Sequence, residues 1–200
     1  MTVRRFSLIV LSLLSLTASA GHALINSFAG IRWLPPAGTT EADWTYPAKR
    51  LLEEAQLDLT PRPEAARALL ETFARRRLAE MEVLVRAGNA AALALTCQRY
   101  ERHLDALEQR IAMSLGGAPE ARWLAYANAL LEQQYIISTD YLDLPREQRT
   151  SLAEAIRIAS KHYAIARARL STPTQESLFF REEEIRWSWD QALGADAQGL

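Results

Sequence analysis

Between residues 93 and 111, apolar side chains return at steps of four and three: Leu93, Cys97, Tyr100, Leu104, Leu107 and Ile111. Leu152, Ile156, Ala159, Tyr163, Ala166 and Leu170 repeat that rhythm. Leu70, Phe73, Arg77, Met81 and Leu84 follow it with one charged member. A period of about 3.5 residues keeps one helical stripe turned toward one neighbour, the spacing of helices packed about 20° apart in a bundle. Residues 123–141 carry two stripes, Trp123-Ala127-Leu130-Ile137-Tyr141 and Leu124-Ala127-Leu131-Tyr135. A helix apolar on two sides needs neighbours on both.

Punctuation divides these runs. "LDLTPRPEAA" (57–66) and "LDLPREQRTS" (142–151) both read as helix starts. In the first, Thr60 is an N-cap, Pro61 and Pro63 fall in the opening turn, and Glu64 suits the positive end of the dipole. In the second, Asp143 or Leu144 precedes Pro145, with Glu147 in the first turn. The preceding leucines can fold back as staples. Gly88-Asn89 and Gly116-Gly117 read as stops, glycine being the usual left-handed C-cap. The prediction is a short helix over Pro47–Leu59, long helices over about 61–87, 90–115, 119–141 and 145–170, and a C-terminal helix over Thr174–Leu193. Connections of about three to five residues make successive long helices antiparallel. The predicted fold is all-α: an antiparallel up-down helical bundle of four long helices, plus a short N-terminal helix and a C-terminal helix. Residues 46–193 form its single helical domain and 194–200 a disordered tail.

The first twenty residues have their own logic. Arg4 and Arg5 precede the uncharged run Phe6–Leu16, and Ala18-Ser19-Ala20 supplies small residues for a signal peptidase. Residues 1–20 therefore read as a signal peptide, cut before Gly21 or, at a second candidate site, after Ala23. The alternative is an uncleaved anchor reaching Ile31, which His22 and Asn26 interrupt. Residues 21–45, with "PPAGTTEAD" at 35–43, read as an extended linker. The predicted location is exported: periplasmic, secreted or attached to the cell envelope.

Charge and chemistry narrow the function by exclusion. Without residues 1–20, 21 basic residues face 24 acidic ones, which gives no reason to expect nucleic acid as partner. Cys97 is the single cysteine, so no internal disulfide can form, and on the apolar seam it reads as a small hydrophobe. HExxH, GxSxG, CxxC, P-loop and GxGxxG patterns are missing. His22, His103 and His162 are scattered, none with a carboxylate or second His at i+3 or i+4, so they read as surface or half-buried rather than metal ligands. The chain is therefore expected to have no catalytic, cofactor-binding or metal-binding residues. Arg75 and Arg76 read as solvated, Arg76 reaching Glu80 at i+4, whereas Arg77 falls in the apolar stripe and needs an acid or a carbonyl. Glu182-Glu183-Glu184, between Phe179-Phe180 and Trp187-Trp189, makes an aromatic-rich tail expected to pack on its own bundle.

Two likenesses follow from these residues. Tyr46-Pro47-Ala48-Lys49-Arg50, Leu59-Thr60-Pro61, Glu64-Ala65-Ala66-Arg67 and the run Phe73–Glu82 resemble a bacterial domain-of-unknown-function family. Its exported members read YPLKR, LTPDPEARA and LAERRLAEAE. The likeness covers about residues 44–110, and Met81 departs from it where the family tends to have Ala. It implies a helical, envelope-facing domain, often tethered near the membrane, without assigned catalytic residues. "LDLPREQRTSL" is similar to the LTxxQ helix starts of periplasmic metal-sensing stress chaperones. Gln148 matches, but Pro145 stands where that pattern has Thr, and Thr60 in the first copy is followed by Pro63 instead of Gln. The expected function is an exported non-enzymatic helical interaction or structural module, acting through a protein partner or self-association. The alternative is a periplasmic holdase-type chaperone or a metal- or stress-responsive accessory protein.

Overall fold

A computed structural model describes residues 27–28, 30–31, 33–114, 119–144 and 152–194. The expected signal peptide, the Gly116-Gly117 turn, the helix start at Pro145 and the tail beyond Gly194 lie outside the described residues. Among the described residues there are seven helices and no strand: α1 (Tyr46–Asp58), α2 (Pro63–Arg86), α3 (Ala90–Ala112), α4 (Pro119–Asp143), α5 (Ala153–Arg167), α6 (Thr172–Glu176) and α7 (Phe179–Gly194). The fold is all-α, as the periodicity predicts.

Thr60 does not cap α2. Its hydroxyl donates to the Gln56 carbonyl at 2.6 Å, finishing α1 instead. The helix begins at Pro63 behind an extended Arg62 with φ −82° and ψ 120°. Proline crowds the residue before it out of the helical region, so Pro63 forces Arg62 open and no helix can run through from Pro61. The predicted stop of α2 is present. Gly88 takes φ +67°, the Asn89 N–H donates to Leu84 O at 3.0 Å and the Gly88 N–H to Val85 O at 2.9 Å, the bond pair of a Schellman motif. Asn89 then opens α3 by accepting from the Ala92 N–H at 3.1 Å. One helix ends and the next begins within three residues, Ala87 to Asn89, which fixes the α2–α3 hairpin.

The core lies between two hairpins, α2–α3 and α4–α5; α1 rests on α2, and α7 lies along α4. All six members of the 93–111 stripe are buried. In and beside α5 the buried face is wider than the predicted stripe: Leu152, Ala159, Ala166 and Leu170 are buried as expected, Ala155, Ile158 and His162 join them, and Ile156 and Tyr163 lie at the margin. That face contains a histidine, which a count of apolar positions skips. Helix α4 has the two buried sides its stripes demand, Leu130 and Ile137 from one and Leu131 from the other. Tyr100 of α3 donates to Gln133 Oε1 of α4 at 2.6 Å, so a polar contact helps to set the angle between hairpins.

The helix expected over Thr174–Leu193 is broken. One short turn, α6, ends at Glu176, and the buried Leu178 draws the chain into the core before α7 runs back along α4. Residues 33–45 are irregular, and they are laced to the helices. Lys49 Nζ donates to the Ala37 and Thr39 carbonyls at 2.9 and 2.6 Å, and Arg75 donates to Trp33 O at 2.9 Å. Arg99 grips Glu41 through two bonds of 3.0 and 2.6 Å. Earlier still, the Ser27 N–H donates to Glu184 Oε2 at 3.0 Å. Phe28 stacks on Tyr135 with ring centroids 4.4 Å apart and belongs to the core. No described helix is long and apolar enough to cross a membrane.

Candidate functional site

Helix α1 is inside out. Its inward residues are Tyr46, Lys49, Glu53 and Leu57, at i, i+3, i+7 and i+11, three of the four polar, while Leu51 and Leu52 (each 67 % exposed) and Leu59 (81 %) face solvent. The polar face is drawn in by Arg77. That guanidinium is fully buried and donates from Nη2 to both Glu53 oxygens at 2.6 Å. Its Nη1 donates to the Tyr46 hydroxyl and lies 3.0 Å from Glu80 Oε2. Tyr46 donates in turn to Glu80 at 2.9 Å, and Lys49 bonds the other Glu80 oxygen. Lys49, Arg77 and Arg99 also lie 5.4–5.6 Å from the centroid of the Tyr46 ring, where the negative face of the ring attracts cations. Burial pulls Arg77 down and Glu80 up from their ordinary values, and the charge of each opposes the shift in the other.

The arginine triplet thus divides differently from the sequence reading. Arg77 does find acids. Arg76 pairs with Glu53 at 2.7 Å rather than with Glu80. Arg75, expected in solvent, is buried, because the 33–45 segment covers it and Trp33 O accepts its proton. Cys97 is buried with its Sγ 3.8 Å from Met81 Sδ, and burial pushes its thiol up to about 11, so it does not behave as a reactive thiolate. His162 is fully buried, not half-exposed: its Nδ1 lies 3.0 Å from Glu108 Oε2 and its Nε2 3.7 Å from Asp105. The acids come from α3, across the helix interface, so a search along one helix could not find them. Among the described residues no group of three or more His, Cys, Asp and Glu could hold a metal ion. Leu178, just before α7, and Ile185 within it pack inward, but Phe179, Phe180 and Trp187 remain exposed. The aromatic tail packs with only part of its aromatic set.

Beside the charge network, α1, α2 and α3 enclose a cleft of about 120 Å3. Leu57 and Phe73 supply apolar wall, and Arg50, Arg77, Arg102 and His103 supply nitrogen. The His103 ring tilts against Phe73 at 5.6 Å. Burial, then the charges of Arg77, Arg99, Arg102 and Arg50, press its value from 6.5 down to about 4. The unfolded chain takes up a proton below 6.5 that the native site refuses until about pH 4. This contribution to stability is therefore complete above pH 6.5 and is lost as pH falls. Urea denaturation at about pH 7.5 and about pH 5 should reveal a loss of up to about 2 kcal/mol from this residue, and His103→Gln should flatten that part of the slope.

Residues 38–162 match the family described as Domain of unknown function (DUF5667), well over half of the 200-residue chain. The chain belongs to the DUF5667 family. No curated protein and no solved structure matches it. The DUF5667 region runs past the 44–110 likeness and contains the whole charge network and the cleft. It ends at His162, inside α5. Phe28, Leu178 and Ile185 lie outside it, yet all three are part of the core.

Proposed function

We propose that this DUF5667 protein is an exported, non-enzymatic interaction module that receives a helix of a cell-envelope protein on the outer face of α1. The observation that carries this reading is the inversion of α1. Ala48, Leu52, Ala55 and Leu59 are all exposed and recur at steps of four, three and four, with Trp44 (91 % exposed) just ahead of the helix. That is the rhythm by which helices of this same bundle recognise one another, presented outward by a helix that turns Tyr46, Lys49 and Glu53 inside. The alternation of small and large side chains suits knobs-into-holes packing against one partner helix. The leader pattern Arg4-Arg5, Phe6–Leu16 and Ala18-Ser19-Ala20 supports the location. The pairing of Arg77 with Glu53 and Glu80 supports a structural rather than a catalytic use of the buried charges.

A photoreactive phenylalanine placed at Leu52 in the full chain, in cells that export it, tests the reading. The expected result is one discrete adduct with a different envelope protein, absent from a control at the exposed Arg157. Leu59→Ser should abolish the adduct while shifting stability by about 0.5 kcal/mol or less, as exposed substitutions do. Adducts with a second copy, adducts with lipid alone, or recovery of the protein from the cytoplasm would each overturn it.

A further inference from the structure

We infer that the cleft between α1, α2 and α3 is a binding site for a small carboxylate carrying a short apolar body. The argument begins with what the side chains there lack. Arg77 lines the cleft, and although its two terminal nitrogens are fully engaged, its buried Nε–H finds no acceptor. A fully buried donor without a partner is rare in native proteins, because the lost hydration is not replaced. Neither nitrogen of His103 has a hydrogen-bond partner among the described residues, nor has the guanidinium of Arg102. Among the residues that line the cleft, Arg102 and His103 of α3 therefore keep donors without acceptors, and Arg77 of α2 keeps one that is closed to solvent.

The charge balance points the same way. Two carboxylates, Glu53 and Glu54, also line the cleft, but Glu53 is spent on Arg76 and Arg77 and Glu54 on Arg50. Arg99 is spent on Glu41. Counting through the network, Lys49, Arg50, Arg76, Arg77, Arg99 and Arg102 stand against Glu41, Glu53, Glu54 and Glu80. A locally cationic site in a chain of net charge −1 is what an anion would fill. The depression of His103, set first by burial and then by four arginines, agrees with that excess of positive charge.

Size and wall chemistry choose the anion. About 120 Å3 is well below the roughly 300–1,000 Å3 of pockets that enclose drug-sized ligands. Leu57 and Phe73 offer hydrocarbon, which inorganic phosphate would not use but a branched aliphatic acid would. The same chemistry could arrive as a free short-chain acid or as the C-terminus of a peptide ending in an aliphatic residue.

NMR titration of the full chain near neutral pH tests this with 3-methylbutanoate, its amide, inorganic phosphate, and acetyl-Gly-Leu with a free or an amidated terminus. The acid should give saturable shifts confined to residues around the cleft and raise the pKa of His103, because a bound carboxylate opposes the arginine field. The amide and the Arg102→Gln variant should each bind at least about tenfold more weakly, the loss of one charge-assisted hydrogen bond. Arg157→Gln, on the outside of α5, should bind normally. If the free-terminus dipeptide binds at least as tightly as the acid, the natural ligand is a chain end; if it is excluded, the ligand is a free acid, and both results support the site. Equal binding of acid and amide, equal binding of phosphate, or unsaturating shifts spread over the whole surface would overturn it.

Discussion

Replacing Arg77 by alanine should cost about 3–5 kcal/mol, the range seen when one member of a buried ion pair is removed. The loss arises from what is left behind more than from what is taken away. Glu53 keeps Arg76, and Glu80 keeps Lys49 and Tyr46, but both carboxylates stay buried with less positive charge and fewer donors. Arg76→Ala should cost only about 1 kcal/mol, because this partly exposed side chain is the lesser of two partners for Glu53. Arg75→Ala should fall between them, at about 1–2 kcal/mol, through the hydrogen bond to Trp33 O. Adding Glu80→Gln to Arg77→Ala should cost less than the sum of the single changes, since the second substitution relieves the charge that the first one strands. Chemical denaturation orders the variants. Three equal values would mean that Arg77 does not organise the network.

Leu104→Asp should leave little folded protein. Leu104 is completely buried in the middle of the α3 seam, and a carboxylate there has no cation to meet. Burying an uncompensated charge costs several kcal/mol at least, against a total stability of about 5–15 kcal/mol for a domain. Leu95 lies on the same helix but off the seam, at 45 % exposure. Leu95→Asp should change stability by about 0.5 kcal/mol or less. Thermal unfolding by circular dichroism separates the two, and similar melting of both would show that the seam is not a core face.

The bundle was legible in the chain because its evidence is local. The α3 seam, the glycine stop at Gly88 and the doubly apolar α4 are each written within one helix. What escaped was written across helices. Glu53 and Arg77 are 24 positions apart, and the pair becomes visible only once α1 is seen to turn its polar side inward. The repetition Tyr46, Lys49, Glu53 beside outward leucines was the available signal, but a rule that buries leucine and exposes lysine reads it backwards. His162 was misjudged for the same reason, its acids being Glu108 and Asp105 of α3. Thr60 failed for a local cause, the second proline of the Pro-Arg-Pro run. The cleft has no sequence signature at all, because its arginines and its histidine are drawn from three helices and acquire meaning only where the helices meet.

The bond between Ser27 and Glu184 spans 157 positions. Such a contact cannot form until nearly the whole chain has been made, whatever the rest of the bundle has done by then. While the protein is being synthesised, Ser27 therefore has no Glu184 to meet, and Phe28 has no Arg181 of α7 over its ring. Closure at that seam therefore marks a polypeptide completed through α7.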